Sequence, residues 1–241
     1  MIQHYEQVSK NVCQTCRFFG ISRSQFYVWL RRYRAAAWLL PVLFISVVCL
    51  LGTASAEEGQ WSVSLGPSVV PFLSGKAGSG DGAPKYRDAF DTGYGITLEV
   101  ERSLSPRVGI HGGIGFERHS GKNYQGVSFG DLEIVPVYVG GKYRFPVSPT
   151  VGVYLNTDVG TAHLSSVDIS LDGLGGRYWN ASWVFLFDAG AGLEYHTSGP
   201  WSFSLQTDFR YLGKPDSALG TASAAGSSWT LPVRLTVRYS F

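Results

Sequence analysis

The chain has 241 residues and a formal net charge of +2, and its 44% of hydrophobic residues excludes a disordered chain. Its length allows one or two domains. Aromatic residues make up 14% of the sequence and glycine occupies 30 positions, a mixture that favours an aromatic-rich β protein.

The first 34 residues have a helical pattern. In "VCQTCRFFGISRSQFYVWLRRY" (residues 12–33), apolar residues recur at helical spacing, Gly20 is placed for a turn and Ser22 is placed to cap a second helix. The stretch resembles the helix-turn-helix near the start of many transposases. Because an export signal follows, we interpret residues 1–34 as a mis-called start or a genomic fusion. Cys13 and Cys16 form a lone C-x-x-C, which predicts no metal site.

Residues 35–56 have the parts of a secretory signal. Three arginines within residues 31–34 precede an apolar run from 35 to 52, and a small-residue cleavage site with Ala54 and Ala56 at the −3 and −1 positions follows. The alternative is a membrane-anchoring helix, because the run is just long enough to span a bilayer. We expect cleavage after Ala56, which leaves residues 57–241 as the mature chain.

Cleavage changes the balance of charges. Residues 1–56 hold six of the 20 basic and one of the 18 acidic residues, so the mature chain has 14 basic and 17 acidic residues. This balance predicts no nucleic-acid partner for the mature chain. All three cysteines precede the cleavage site, so the mature chain has no disulfide, and no motif in it predicts a cofactor.

Eight stretches of the mature chain alternate apolar and polar side chains. Because successive side chains of a strand point to opposite faces, each stretch predicts a strand with one apolar and one polar face. The predicted strands are 61–72, 90–101, 107–117, 133–145, 151–160, 183–195, 201–211 and 229–241.

Short and long connections alternate between these strands. The connections at 103–107, 145–150 and 196–200 are short, and those at 73–89, 118–131, 163–181 and 213–227 are longer and rich in glycine and polar residues. This layout is typical of outer-membrane barrels, in which short periplasmic turns alternate with long extracellular loops. The predicted fold is therefore all-β, an eight-stranded antiparallel up-and-down transmembrane barrel, preceded by a helical extension and a signal peptide.

The charged residues of the predicted strands decide which face lines the interior. A soluble barrel such as a lipocalin is the alternative, and it would bury its apolar face inside. Here the polar face carries charges and many glycines, which fit the narrow interior of an eight-stranded barrel if the charges pair, so the apolar face is left for lipid. The predicted lumen network is Glu99, Glu101, Glu117, Lys142, Arg144, Asp158, Asp188, Glu194, Asp208, Arg210, Arg234 and Arg238.

Aromatic residues cluster at the ends of the predicted strands. Such clusters predict two girdles at the membrane interfaces. One girdle would be Trp61, Phe145, Tyr195, Trp201, Tyr239 and Phe241, and the other would be Phe72, Phe90, Phe116, Trp183, Tyr211 and Trp229.

The segment "LPVRLTVRYSF" keeps its alternation to the final residue. Leu235, Val237, Tyr239 and Phe241 match the C-terminal assembly signal of outer-membrane proteins, and with "VPVYVGGKYRF" the mature chain resembles the small outer-membrane β-barrel family of the OmpA-barrel, OmpX and OmpW kind. The resemblance implies outer-membrane lipid, the outer-membrane assembly machinery and periplasmic chaperones as partners.

Function is less constrained than fold, because these barrels serve many ends. We expect a structural, barrier or surface-binding role through the four long loops. The alternative is a narrow channel for small or apolar solutes. A lipid A-modifying enzyme is a third reading, for which "ERHS" offers Glu117, His119 and Ser120. Adjacent residues of a strand point apart, so His119 and Ser120 would not form a catalytic pair, and we predict no enzyme.

Overall fold

The computed structural model describes residues 12, 16, 17, 22, 23, 59–79, 82–171 and 174–241. The chain divides into two compact units, residues 1–56 and 57–241. In the first unit, Val12, Cys16, Arg17 and Arg23 are helical and Cys16 is a buried free thiol. The predicted signal segment and its cleavage residues Ala54 and Ala56 lie outside the described residues, as does most of the predicted helix-turn-helix. Among the described residues, no helix is both long enough and apolar enough to cross a bilayer.

The second unit is a closed barrel of eight antiparallel strands. Two of the eight are interrupted, so ten segments form the wall. They are β1 (Trp61–Val70) continued by β2 (Phe72–Ser74), β3 (Gly93–Ser103), β4 (Val108–His119), β7 (Leu132–Pro146), β8 (Val151–Leu164), β11 (Ser182–His196), β12 (Trp201–Leu212), and β14 (Ser228–Thr230) continued by β15 (Val233–Ser240).

The first and last strands close the barrel. β1 pairs with β3 on one side and with β15 on the other, with Leu65 opposite Val237. At the short-turn end Trp61 and Phe241 exchange both backbone hydrogen bonds, at 3.2 and 2.9 Å. No edge of the wall is left unpaired along these strands, which is the condition for a sheet to cross lipid.

The alternation of the strands sorts their side chains as the sequence predicts. The outward rows are apolar and exposed, as in Leu98 at 43%, Phe203 at 44% and Leu235 at 57%, whereas the inward rows are polar and buried. This pattern is the reverse of a soluble barrel and leaves an apolar belt around the wall.

The long connections are not irregular loops, because they build a second antiparallel sheet above the wall. Its five strands are β5 (Asn123–Tyr124), β6 (Val127–Phe129), β9 (Val167–Leu171), β10 (Leu174–Asn180) and β13 (Asp216–Ser217). They lie in the order β13-β10-β9-β6-β5. The helix α1 (Tyr86–Ala89) and a 3-10 turn (Gly220–Ser223) accompany the sheet. We call these elements and the segments that join them the cap.

An aromatic core joins the cap to the upper end of the barrel. Wall residues such as Leu132, Ile134 and Leu186 pack in one cluster with cap residues such as Tyr86 and Trp179. Two residues that the sequence placed in the outer girdle belong to this core. Phe72 is 7% exposed and Phe90 is 1% exposed, so their assignment to the girdle was wrong. The reason is that Phe72 lies on the inward row of its strand, as Ser68 and Val70 do, and that Phe90 precedes β3 and forms an isolated bridge with Gly121.

Candidate functional site: the lumen and the cap

The twelve charged residues that the sequence assigned to the lumen lie on the inward rows of the wall. Eleven of them are buried, and the side chain of Arg144 is 12% exposed. Burial of so many charges is tolerated only when they are paired and hydrogen-bonded. The structure arranges them in a lower cluster near the short turns and an upper cluster beneath the aromatic core.

The lower cluster is centred on two glutamates. Lys142 Nζ lies 3.1 Å from Glu101 and 3.2 Å from Glu99. Glu101 also pairs with Arg144 and Arg238. Glu194 completes the cluster with the same two arginines, at 3.2 Å from Arg144 and 2.5 Å from Arg238. These groups come from β3, β7, β11 and β15, so the cluster ties opposite sides of the wall together.

The upper cluster is centred on two arginines. Arg210 Nε donates to Asp188 at 3.0 Å, and its Nη1 lies 2.5 Å from Glu117 on β4, across the lumen. The β11–β12 register places Asp188 directly opposite Arg210. Arg234 pairs with Asp208 at 2.5 Å. One guanidinium therefore serves two carboxylates, in a layer from which solvent is excluded.

The sequence reading missed the polar neighbours that complete the network. Buried His111 lies 2.6 Å from Asp158 and 3.9 Å from Glu99. Asn156 donates to both Asp158 and Asp208, at 3.1 and 2.9 Å. The signal was present, since His111 and Asn156 have the same parity as the charged residues, but neither carries a fixed charge.

Two tyrosines on the inward rows lie against glycines of the neighbouring strands. The β4–β7 register pairs Gly113 with Tyr138, and the β8–β11 register pairs Gly192 with Tyr154. A Cβ on Gly113 would lie 2.5 Å from Tyr138 Cζ, so only glycine leaves room for the ring. Each ring then points its hydroxyl into the network, to Arg234 and Gln206 at 2.7 and 2.9 Å.

The lumen retains little free volume. A small polar cavity between the two clusters, bordered by Thr97, Glu99, Lys142 and Arg234, has room for about one water molecule. Above it, the aromatic core fills the end of the barrel. The charged residues of the network, except Arg144, and the hydrophobic residues of the core are all less than a tenth exposed to solvent.

The cap is held by its aromatic residues. Trp179 lies 5.4 Å from Tyr86 and 5.7 Å from Phe90 between ring centroids, and its indole N–H donates to the Ser223 carbonyl at 3.1 Å. Burial raises the pKa of the Tyr86 phenol well above its ordinary value, and the hydroxyl donates to the Gly226 carbonyl at 3.1 Å. Residues from all four long connections therefore meet in one core.

Exposed ion pairs lie at the rim of the cap. Arg118 lies 2.6 Å from Asp131, and this hydrogen bond lowers the pKa of the Asp131 carboxyl. Lys122 lies 3.0 Å from Asp91, and Arg177 lies 3.0 Å from Asp168. All three pairs are exposed, so each contributes little to stability.

Each of the three candidate catalytic residues hydrogen-bonds a group outside the candidate triad. Glu117 bonds Arg210 at 2.5 Å. His119 Nδ1 bonds the Asp91 carbonyl at 3.2 Å, and the Ser120 carbonyl accepts from the Asp91 N–H at 2.8 Å. Among the described residues, no group of three or more histidine, cysteine or acidic side chains is placed to hold a metal ion.

The four residues of the predicted assembly signal form one outward row. Leu235, Val237, Tyr239 and Phe241 are 57%, 40%, 41% and 65% exposed. The Tyr239 ring lies 4.9 Å from Trp201 and 6.3 Å from Phe241 between centroids. These rings belong to the lower aromatic girdle, at the short-turn end.

Comparison with protein families gives two matches. A model described as the outer membrane protein beta-barrel domain matches residues 40–241, and a helix-turn-helix domain model matches residues 1–41. The second match agrees with the helix-turn-helix predicted for residues 12–33. Among curated proteins, none matches the chain.

Several solved barrels are similar in structure. The outer membrane protein OprG from Pseudomonas aeruginosa has 14% identity and a TM-score of 0.52, over 76% of this chain and 96% of that one. Neisserial surface protein A has 14% identity and a TM-score of 0.48, over 75% and 97%. The attachment invasion locus protein Ail of Yersinia pestis has 16% identity and a TM-score of 0.47, over 76% and 99%. At this identity, the likeness to OprG concerns the fold alone.

Proposed function

The chain belongs to the outer membrane protein beta-barrel family, and from that premise we propose that it is a closed, non-conducting barrel that presents a rigid extracellular surface. The family and the barrel place it in the outer membrane. The finer role proposed here is a structural and surface-binding one, exercised through the cap. We further propose that residues 35–56 are a cleaved export signal.

The aromatic core at the long-loop end is the observation that carries this proposal. A channel needs a continuous polar path, and hydrophobic constrictions close pores by excluding water. Here, eighteen buried hydrophobic residues of the described part of the chain form one cluster across the barrel end and the cap. Below it, the paired charges occupy the lumen. A solute would have to displace both layers.

A rigid cap suits a binding surface. Its five-stranded sheet combines strands from three different connections, because β6 pairs with β9 and β10 pairs with β13. Side chains on such a sheet are held in place before a partner arrives, which reduces the entropy lost on binding. We propose no enzymatic activity, and the engagement of Glu117, His119 and Ser120 with other partners supports this.

We propose two classes of partner for the rest of the barrel. The apolar belt contacts outer-membrane lipid. The outward row from Leu235 to Phe241 is recognised by the assembly machinery after periplasmic chaperones deliver the unfolded chain. Neither proposal involves a nucleic acid.

Conductance in planar lipid bilayers tests the closed barrel. The folded full chain should give no steady current. A variant that lacks the β9–β10 hairpin and also carries Arg234→Ala, which disturbs both layers, should give current. A matched variant with a shortened 145–150 turn at the opposite end should remain silent. Steady conductance of the unmodified protein would overturn the closed barrel and favour a narrow channel.

A further inference from the structure

Two lysines face each other in the cap. Lys76 and Lys85 form an isolated antiparallel bridge, and both side chains are exposed. Opposed residues of an antiparallel pair carry their side chains on one face with Cβ atoms about 4.5–5.5 Å apart, and like charges there are destabilising. Within the described part of the chain, neither lysine forms an ion pair.

The hairpin that carries the lysines is held firmly. The Ala77 N–H donates to the Pro84 carbonyl at 2.8 Å, and the Tyr86 N–H donates to the Gly75 carbonyl at 3.1 Å. The Gly226 N–H bonds the Lys76 carbonyl at 2.9 Å. Because Tyr86 is buried in the aromatic core, the two backbones cannot separate to relieve the repulsion. The two ammonium groups are therefore presented together.

The charged residues around the pair balance one another. Arg87 is 58% exposed, and its partner Asp88 is 4.0 Å away. Lys122, paired with Asp91, donates to the Arg87 carbonyl at 3.2 Å. With Lys76 and Lys85 these described residues make four cations and two carboxylates, so the positive excess comes from the lysine pair. Asp81 lies outside the described residues. Because residues 57–241 hold more acidic than basic residues in total, this patch is a local feature.

The position of the pair indicates where its ligand lies. Ser74 pairs with Trp229 at the end of β2, where Leu73 and Trp229 are 40% and 39% exposed at the upper limit of the apolar belt. Lys76 follows Ser74 by two residues, so its Cα lies within about 7 Å of it. Headgroups occupy roughly 5–7 Å on each side of the hydrocarbon core. The lysines can therefore reach the headgroup layer.

We propose that Lys76 and Lys85 bind a phosphate group on a glycolipid of the outer leaflet. One phosphate would accept charge-assisted hydrogen bonds from both ammonium groups and neutralise their repulsion. The proposal rests on the proposed function, since it requires the cap to face the cell exterior. The ligand would hold the hairpin at the surface of the membrane.

Native mass spectrometry of the detergent-solubilised full chain, titrated with lipid A, tests the site. Lys76→Gln and Lys85→Gln should each weaken binding about 5-fold, and the double variant about 25-fold. Lys214→Gln is the matched control, because Lys214 is also exposed and also follows its strand, β12, by two residues. The control should bind as the unmodified protein does, and lipid A without phosphates should bind as weakly as the double variant.

Three outcomes would overturn the site. Equal weakening by Lys214→Gln would reduce it to general electrostatics, and unchanged binding by the double variant would remove it. Displacement of lipid A by inorganic phosphate or a sulfated oligosaccharide at equal concentration would assign the lysines to a soluble anion.

Without lipid, Lys85→Gln should slow proteolysis of the hairpin, because it removes the repulsion.

Orientation is tested separately. Leu219→Cys, at an exposed position of the cap, should react with a membrane-impermeant thiol reagent on intact cells. Failure of this labelling would overturn the proposed surface role, whatever the lipid titration shows. Labelling without selective loss of lipid binding would overturn the lysine site alone.

Discussion

The Tyr138 ring fills the space beside Gly113 in the barrel wall. The two residues are in register on β7 and β4, and the phenol ring stands where a side chain of Gly113 would be. The ring in that position accepts a hydrogen bond from Arg234 at 2.7 Å and donates one to Glu99 at 3.3 Å. Packing on the wall thus sets the geometry of the charge network.

Gly113→Ala should destabilise the barrel by about 1–3 kcal/mol, the usual cost of overpacking, because the added methyl displaces the Tyr138 ring. The free energy of unfolding in urea, measured on the barrel in detergent micelles, checks this. Gly141→Ala is the control, because a Cβ added at Gly141 would lie 3.9 Å from its nearest neighbouring atom. Equal stability of the two variants would contradict the shared space.

Arg210→Ala should destabilise by about 3–5 kcal/mol, because it leaves buried carboxylates without their partner. Asp188 and Glu117 both depend on this guanidinium. The unfolding free energy of Arg210→Lys should lie between those of Arg210→Ala and the unmodified protein. A lysine keeps the charge, but it lacks the planar fork that bonds both carboxylates. The same urea measurement applies.

Arg118→Ala is the contrast for this prediction. It breaks an exposed pair with Asp131 and should leave the unfolding free energy close to that of the unmodified protein. If both alanine variants unfold alike, the buried network is not what stabilises the lumen.

Trp179→Ala should loosen the cap and leave the wall folded. The side chain is fully buried among aromatic rings, and such truncations cost about 3–5 kcal/mol locally. Limited proteolysis should cut the cap faster, while the heat-modifiable gel mobility of the barrel persists. Trp183→Ala, at a position 58% exposed on the outer face, should change neither. Loss of the barrel itself in Trp179→Ala would show that cap and wall fold as one unit.

Phe241→Asp should reduce assembly more than stability. The backbone bonds to Trp61 remain, and a charge near an interface costs about 0–1 kcal/mol. Outer-membrane yield in cells should therefore fall, while folding into detergent in vitro stays near normal. Ser240→Ala is the control and should do little. Equal yields in cells for Phe241→Asp and the unmodified protein would make the terminal aromatic a packing residue.

Period-two alternation was enough to predict the wall. It gave the eight strands, the inward row that includes Asp188 and Arg210, and the outward row that ends at Phe241, because a one-residue error would move every side chain to the other face. The family match confirms the small outer-membrane barrel. The role of the outward terminal row as an assembly signal stays a prediction, as does any functional role of the inward charges.

The cap could not be predicted in the same way. Its strands are two to seven residues long, too short for alternation to stand out. Two of their pairings, β6 with β9 and β10 with β13, join different connections. Parity alone places Phe72 on the inward row with Ser68, so its assignment to the girdle ignored the alternation. Parity failed at Phe90, which precedes β3 and bridges Gly121 while the apolar spacing continues. His111 was missed because its importance comes from Asp158, which is 47 positions away in sequence.

Because the backbones of Trp61 and Phe241 are paired, the first and last strands are hydrogen-bonded neighbours like any other two strands of the barrel. A circular permutant that joins these two positions through a short linker, and opens the chain in the 104–107 turn, would keep every strand pairing. It would also move Phe241 to the interior of the sequence. In such a molecule the contacts of the last strand survive while its terminal position does not, so packing and recognition, which coincide in the natural order, can be separated.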